Sequence, residues 1–215
     1  LIKRYGTIEQ LFEWKKLNNI TDFSDIENKL NNLFKKEKIQ HRTLLSLPKE
    51  FVSLANEGLP LSSLSPMMYL KKRRVYKKDI IRWKMGYCPA GEFKGRIIIP
   101  SFDERGDVSY FIARSYDKNP KKYLNPPITK GDIIFNELDI NFTKPITIVE
   151  GVFDAIVGGK NTIPLLGSSL RETTHLFQKI VKHKNTVYLA LDPDIAYKEK
   201  IIIKNFLKYG IKTYK

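Results

Sequence analysis

Three carboxylates, Glu150, Asp192 and Asp194, stand where acidic side chains can gather a cation. Glu150 follows the run Ile146-Thr147-Ile148-Val149, and Asp192 follows Val187-Tyr188-Leu189-Ala190-Leu191. Short apolar runs of this kind read as buried strands, and in an open parallel sheet ligands bind beyond the carboxyl ends of the strands. Asp192 and Asp194 are two apart, so extended backbone points both side chains the same way. If the two strands are neighbours, the three acids meet. Like charges at that separation force one acid to keep its proton unless a hard cation compensates them. Mg²⁺ is the expected ion, with Mn²⁺ the alternative, held by carboxylates, water and phosphate oxygens. Such an ion orients a phosphate and stabilises charge that develops on it. The acids have a second use, because Asp192 or Asp194 can instead cap a helix starting at Ile195.

The elements that must position these acids follow from periodicity. Residues 187–191 and 146–149 are expected strands, as are 162–166, and helices are expected from Asp154 and over 195–209, the latter stopped by Gly210. Ser169 and Glu172 have the capping-box spacing ahead of the stripe Leu176, Phe177, Ile180 and Val181. Strands alternating with helices give an α/β fold, an open and mostly parallel sheet with helices on both faces. Upstream the pattern differs. Arg96-Ile97-Ile98-Ile99-Pro100, a turn around Gly106, and Val108 to Arg114 predict a β-hairpin, so this part is α+β. Helices are expected over 64–74 and 77–85, and residues 119–130, with three prolines, read as an irregular loop. Thr7 with Gln10 and Ser24 with Glu27 open two further helices in the first 40 residues. The expected division is a helical opening over 1–45, a basic subdomain over 46–142 and the parallel-sheet domain over 143–215.

Of the 215 residues 42% are apolar, enough for a real core. No apolar run reaches the ~18 residues of a membrane span, so a soluble, cytoplasmic protein is expected. Cys88 is the only cysteine, which excludes disulfides and multi-cysteine zinc sites within the chain and leaves Cys88 as a small buried hydrophobe. His41, His175 and His183 lack metal-ligand spacing. The net charge of +15 favours a polyanion as partner. About half of that surplus lies in residues 71–84, where Lys71, Lys72, Arg73, Arg74, Lys77, Lys78, Arg82 and Lys84 face one acid, Asp79. With Tyr76, Trp83 and Tyr87 interleaved, this stretch either binds a single strand through phosphate contacts and stacking or is a solvated helix pair with its aromatics in the core. The stripe Lys200, Lys204 and Lys208 reads as a solvated helix face.

Val149-Glu150-Gly151 and Asp192-Pro193-Asp194, each placed after a strand, resemble the Glu-Gly and Asp-x-Asp signature of the TOPRIM domain shared by DNA primases, topoisomerases and some nucleases. Other segments resemble the DNA primases of the DnaG type found in bacteria and phages: Gly95-Arg96-Ile97-Ile98-Ile99-Pro100, Phe111-Ile112-Ala113-Arg114, Lys122-Tyr123-Leu124-Asn125-Pro126, Ile134-Phe135-Asn136 and Leu166-Gly167-Ser168. Their order and spacing agree from about residue 47 onward.

This resemblance implies a template-directed synthase of RNA primers, working on single-stranded DNA with ribonucleoside triphosphates and, as a further partner, a replicative helicase. It implies that Glu150, Asp192 and Asp194 hold the metal, with Asp154 one helical turn beyond Glu150. Arg96, Arg114, Lys122, Tyr123 and Asn125 would line a basic cleft for template and nucleotide, where Gly151, Gly167 and Ser168 also belong. Arg offers phosphate a planar fork and Lys a point charge, although ordinary surface charge is the other account of Arg114 and Lys122. Pro193 departs from the glycine that many cellular primases carry, and it fixes one backbone angle between the two aspartates. Zinc is expected only in an N-terminal ribbon outside this chain, and the TOPRIM unit is expected to be cut close to its last strand at Lys212 to Lys215. Rival readings are a TOPRIM nuclease and a non-catalytic module that holds single strands.

Overall fold

A computed structural model describes residues 45–167 and 169–215, together with Glu13. The expected helices of the first 40 residues, His41 and Ser168 lie outside the described residues.

The first half is built on an antiparallel sheet of β1 (Val52–Ser53), β2 (Gly86–Cys88), β3 (Arg96–Phe102) and β4 (Val108–Ser115), paired in that order. The β3–β4 hairpin is closed by Asp103, whose carboxylate accepts the N–H groups of Arg105 and Asp107 at 2.8 and 3.1 Å. This is the local bonding that makes Asp a turn residue. Alternate residues of β3 enter different cores, which is why the strand reads as a continuous apolar run. Ile97 and Ile99 pack with Leu70, Ile80, Trp83 and Phe135, whereas Ile98 packs with Cys88, Phe111 and Ala113. The helices α1 (Leu64–Lys72) and α2 (Lys77–Arg82) lie on the first of these faces. Asp79, the one acid of the basic stretch, accepts the Tyr76 N–H at 3.0 Å and so closes the start of α2. Trp83 and Tyr87 are 1% and 0% exposed, so neither can stack on a base, and the core reading holds for both. Tyr76 is exposed.

The second half is a parallel sheet in the order β6–β5–β7–β8, from β5 (Ile146–Val149), β6 (Thr162–Pro164), β7 (Val187–Ala190) and β8 (Thr213–Tyr214). Ile146, Ile148, Ile163, Val187 and Leu189 face α4 (His175–His183) and α5 (Ala196–Leu207) in one cluster, centred on Phe177 and Phe206. Those two rings stack 4.7 Å apart. Val149 points to the opposite face, where α3 (Val152–Val157) lies. Helices lie on both faces, as the α/β alternation of elements led us to expect, but α3 covers only the β5–β6 side, and Tyr188 and Ala190 of β7 stay exposed on that face.

Two local expectations are corrected. α4 starts at His175 behind Thr174, not behind Ser169. Glu172 is used elsewhere, accepting Lys208 Nζ at 2.7 Å and the Tyr209 hydroxyl at 2.8 Å from α5 and its end. An ammonium and a hydroxyl, one on each carboxylate oxygen, give Glu172 two donors where the cap would offer one backbone N–H. The Asp-Pro-Asp segment is not extended either. Asp192 keeps extended backbone angles, but Pro193–Ile195 form a 3₁₀ turn, for which the fixed φ of proline at the first position is already set.

Candidate metal centre and nucleic-acid interface

β5 and β7 are direct neighbours in parallel register, with Val149 opposite Ala190, so the chain leaves both strands side by side at Glu150 and Asp192. The 3₁₀ turn then returns Asp194 toward them. One carboxylate oxygen from each of Glu150, Asp192 and Asp194 lies within 4.8 Å of the others. Asp192 stands at the N-cap of the turn, yet its side chain makes no capping bond, and the N-cap of α5 is Ile195. Among the described residues no ion pair uses any of the three acids. Capping therefore does not account for them. Desolvation, then the charges of Asp192 and Asp194, push the Glu150 carboxyl above its usual range, and the Lys198 ammonium offsets part of this. Three hard oxygen donors whose negative charge no ion pair among the described residues neutralises, and Lys198 offsets only in part, fit a divalent cation of the Mg²⁺ type.

Asp154 stands outside this ligand set. Its Oδ2 accepts the Gly151 N–H at 3.1 Å, which fixes the turn between β5 and α3 just after Glu150. A Cβ on Gly151 would lie 2.7 Å from that oxygen, so a larger residue there would have to displace the Asp154 carboxylate from this bond. Glu150 is held from the other side by its backbone carbonyl, which accepts the Leu166 N–H at 2.9 Å. The turn after β6 has Leu166 and Gly167 in succession at left-handed φ, 55° and 74°. Lys130 Nζ donates to the Leu166 carbonyl at 2.8 Å and so ties the proline-rich loop to that turn. Nothing in the sequence marks Lys130 out among 38 basic residues.

The basic residues divide by what they touch. Lys122, Tyr123 and Leu124 form a short extra rung beside β4, with Tyr123 opposite Arg114, Ser115 donating to Lys122 O and Leu124 donating to Ala113 O, both at 3.0 Å. Asn125 accepts the Ala113 N–H at 3.1 Å, and Arg96, 4% exposed, donates to the carbonyls of Lys121 (2.8 Å) and Ala113 (3.4 Å). Arg96 and Asn125 thus shape the rung from beneath. Arg114 and Tyr123 sit on it, the guanidinium 4.7 Å from the ring centre. Of the residues in the 71–84 stretch, Arg74, Lys77 and Lys78 are exposed, whereas Arg82 donates to the Gly159 carbonyl at 2.8 Å and ties α2 to the parallel sheet. Arg73 reaches toward Arg114. The Nε of each donates to the hydroxyl of Tyr69, at 2.7 and 2.8 Å, and the Arg73 guanidinium lies 4.5 Å from the ring of Phe153 on α3. Tyr69 and Phe153 were not legible as site residues, because their partners come together only in the fold.

An antiparallel sheet joined to a parallel sheet matches the fold of solved primase catalytic cores. The similarity is to the DnaG type. The chain is 36% identical over 116 residues to the DNA primase of Mycoplasma pneumoniae, covering 48% of the chain and 18% of that protein. It is 25% identical over 212 residues to the DNA primase of Buchnera aphidicola, covering 87% of the chain and 36% of that protein. Among solved structures, the Aquifex aeolicus primase with its zinc-binding and RNA polymerase domains matches at a TM-score of 0.60 and 24% identity, over 70% of this chain and 49% of the other. A DnaG primase catalytic domain bound to single-stranded DNA matches at 0.54 and 22%, over 67% and 59%. No family model matches. The chain is similar to DnaG-type DNA primases and shares the fold of their catalytic core, and it spans about a fifth to a third of the length of these two curated relatives. Among the described residues no helix is long and apolar enough to cross a membrane.

Proposed function

We propose that this chain is the catalytic core of a DNA primase, making short RNA primers on a single-stranded DNA template. The reaction is attack of a ribose 3′-hydroxyl on the α-phosphate of an incoming ribonucleoside triphosphate, with pyrophosphate leaving. The observation that carries this reading is the cluster of three carboxylates, committed to neither cap nor ion pair, at the ends of two adjacent parallel strands. In this reading Glu150, Asp192 and Asp194 hold Mg²⁺ or Mn²⁺, and the ion supplies positive charge that orients phosphate oxygens and stabilises the charge developing on them. Asp154 and Gly151 fix the turn from which Glu150 projects. Arg114, Lys122 and Tyr123 contact template phosphates and bases, Arg96 and Asn125 hold the rung that presents them, and Gly167 with Ser168 borders the nucleotide. Arg73, Arg74, Lys77 and Lys78 extend the phosphate-binding surface, while Arg82 braces it. Residues 46–142 then form the basic subdomain and 143–215 the TOPRIM domain of a longer cytoplasmic protein. Zinc would belong only to an N-terminal ribbon outside this chain, and a replicative helicase would be a further partner.

Template-directed synthesis on a defined single strand, with Mg²⁺ or Mn²⁺ supplied, tests this. Glu150→Gln and Asp192→Asn are each expected to cut primer synthesis by roughly 10²-fold or more, the scale of one preorganised electrostatic contact, with unchanged circular dichroism and no fall in melting temperature. Normal product from either variant sinks the metal reading. Metal-dependent cleavage of a labelled strand without incorporation would point to a nuclease, and DNA binding indifferent to metal without incorporation would point to a non-catalytic module.

A further inference from the structure

Between the triad and the basic rung runs a continuous set of contacts from one sheet to the other. Phe153, three residues after Glu150, holds the Arg73 guanidinium at 4.5 Å, and the same guanidinium lies 5.0 Å from the Tyr69 ring. Tyr69 meets Phe153 edge to face, with ring centres 6.4 Å apart. Its hydroxyl oxygen accepts Nε–H of Arg73 at 2.7 Å and Nε–H of Arg114 at 2.8 Å, and Arg114 in turn lies over Tyr123. A phenolic oxygen with two cationic donors on it has its accepting capacity filled, and its one remaining role is to donate its own proton. Among the described residues nothing accepts that proton, and no ion pair uses Arg73 or Arg114.

From this convergence of one hydroxyl and two guanidinium groups we infer that Tyr69 is a positioning residue for nucleic-acid phosphate. By engaging both Nε atoms it sets the rotation of the two planar forks, so that they act on an anionic oxygen together. Arginine recognises phosphate through a fixed planar geometry, and a fork that turns freely loses ordering entropy when it binds. The shared hydroxyl removes that loss for two arginines at once, 41 residues apart in sequence. The inference deepens the reading of this face as the template surface and rests on it.

Tyr69→Phe is the discriminating change, since it keeps the ring against Phe153 and Arg73 and deletes only the oxygen. Binding of a fluorescent oligothymidylate is measured by anisotropy for the unsubstituted protein, Tyr69→Phe, Arg114→Ala and the double variant. Tyr69→Phe is expected to weaken binding by about tenfold, the scale of one hydrogen bond to a charged group. Its cost is expected to shrink clearly in the Arg114→Ala background, because residues that act through one contact are not additive. The Arg73 and Arg114 Nε–H resonances are expected to exchange with solvent faster in Tyr69→Phe than in the unsubstituted protein, which a merely structural loss elsewhere would not produce. Equal binding by Tyr69→Phe, or costs that add, would overturn the inference and leave the template reading standing. No binding by the unsubstituted protein at low salt overturns the template reading, and the inference falls with it.

Discussion

Cys88 ends β2 in the antiparallel sheet, fully buried, and burial followed by the nearby Glu50 carboxylate pushes its thiol from 9.0 up to about 12. The sign of the effect follows. Below pH 9.0 the thiol is protonated whether the chain is folded or not; above it the unfolded chain ionises first and is favoured. Stability is therefore expected to fall from about pH 9 toward about pH 12 more steeply than in Cys88→Ala, as read from urea midpoints at each pH. Equal slopes would contradict the assignment. At this scale the sequence was most informative about the acids. Glu150 and Asp192 each close an apolar run, and a strand end can be recognised without knowing its neighbours. It was least informative about arginines and aromatics, whose identity says nothing of burial. Arg96 works from inside the fold, Trp83 and Tyr87 belong to the core, and Tyr69 gains its role only from partners 4 and 45 residues away.

Among the elements, α4 and α5 carry the sheet that presents the triad, and they meet through the stacked rings of Phe177 and Phe206, both fully buried. Phe177→Ala is expected to destabilise the fold by about 3–5 kcal/mol, the loss typical of a buried aromatic, measured by urea unfolding. A cost below about 1 kcal/mol would mean that this contact is not a true core contact. The strands and helices were legible because a two-residue and a 3.6-residue period leave separate traces in the sequence. Their boundaries were less so, wherever one side chain had two local uses. Glu172 has the spacing of a cap, but α5 brings Lys208 and Tyr209 to it and wins. Asp192 and Asp194 have the spacing of an extended pair, and Pro193 turns the chain between them while still bringing the two carboxylates together.

For the molecule as a whole, the two sheets are not separate bodies. Val149, Val152, Ala155 and Ile156 belong to the same core cluster as Leu70, Trp83, Ile97 and Ile112. Lys179 pairs with both Glu104 and Glu137, binding α4 to the hairpin turn and to the segment after it. A fragment ending at residue 142 is expected to lack cooperative unfolding and to bind a hydrophobic dye, whereas the whole chain gives one transition; a sharply melting fragment would show that the first half folds alone. Neither the shared core nor the clasp could be read from composition, which shows where apolar residues occur but not which distant ones meet. The same shared core has a temporal side. Ser115 and Val149 are separated by 34 residues of chain, and synthesis at ~5–20 residues per second takes roughly 2–7 s to cross them. During that interval the hairpin is complete but part of its apolar face has no cover, so the nascent protein is expected to expose apolar surface briefly that the finished one buries.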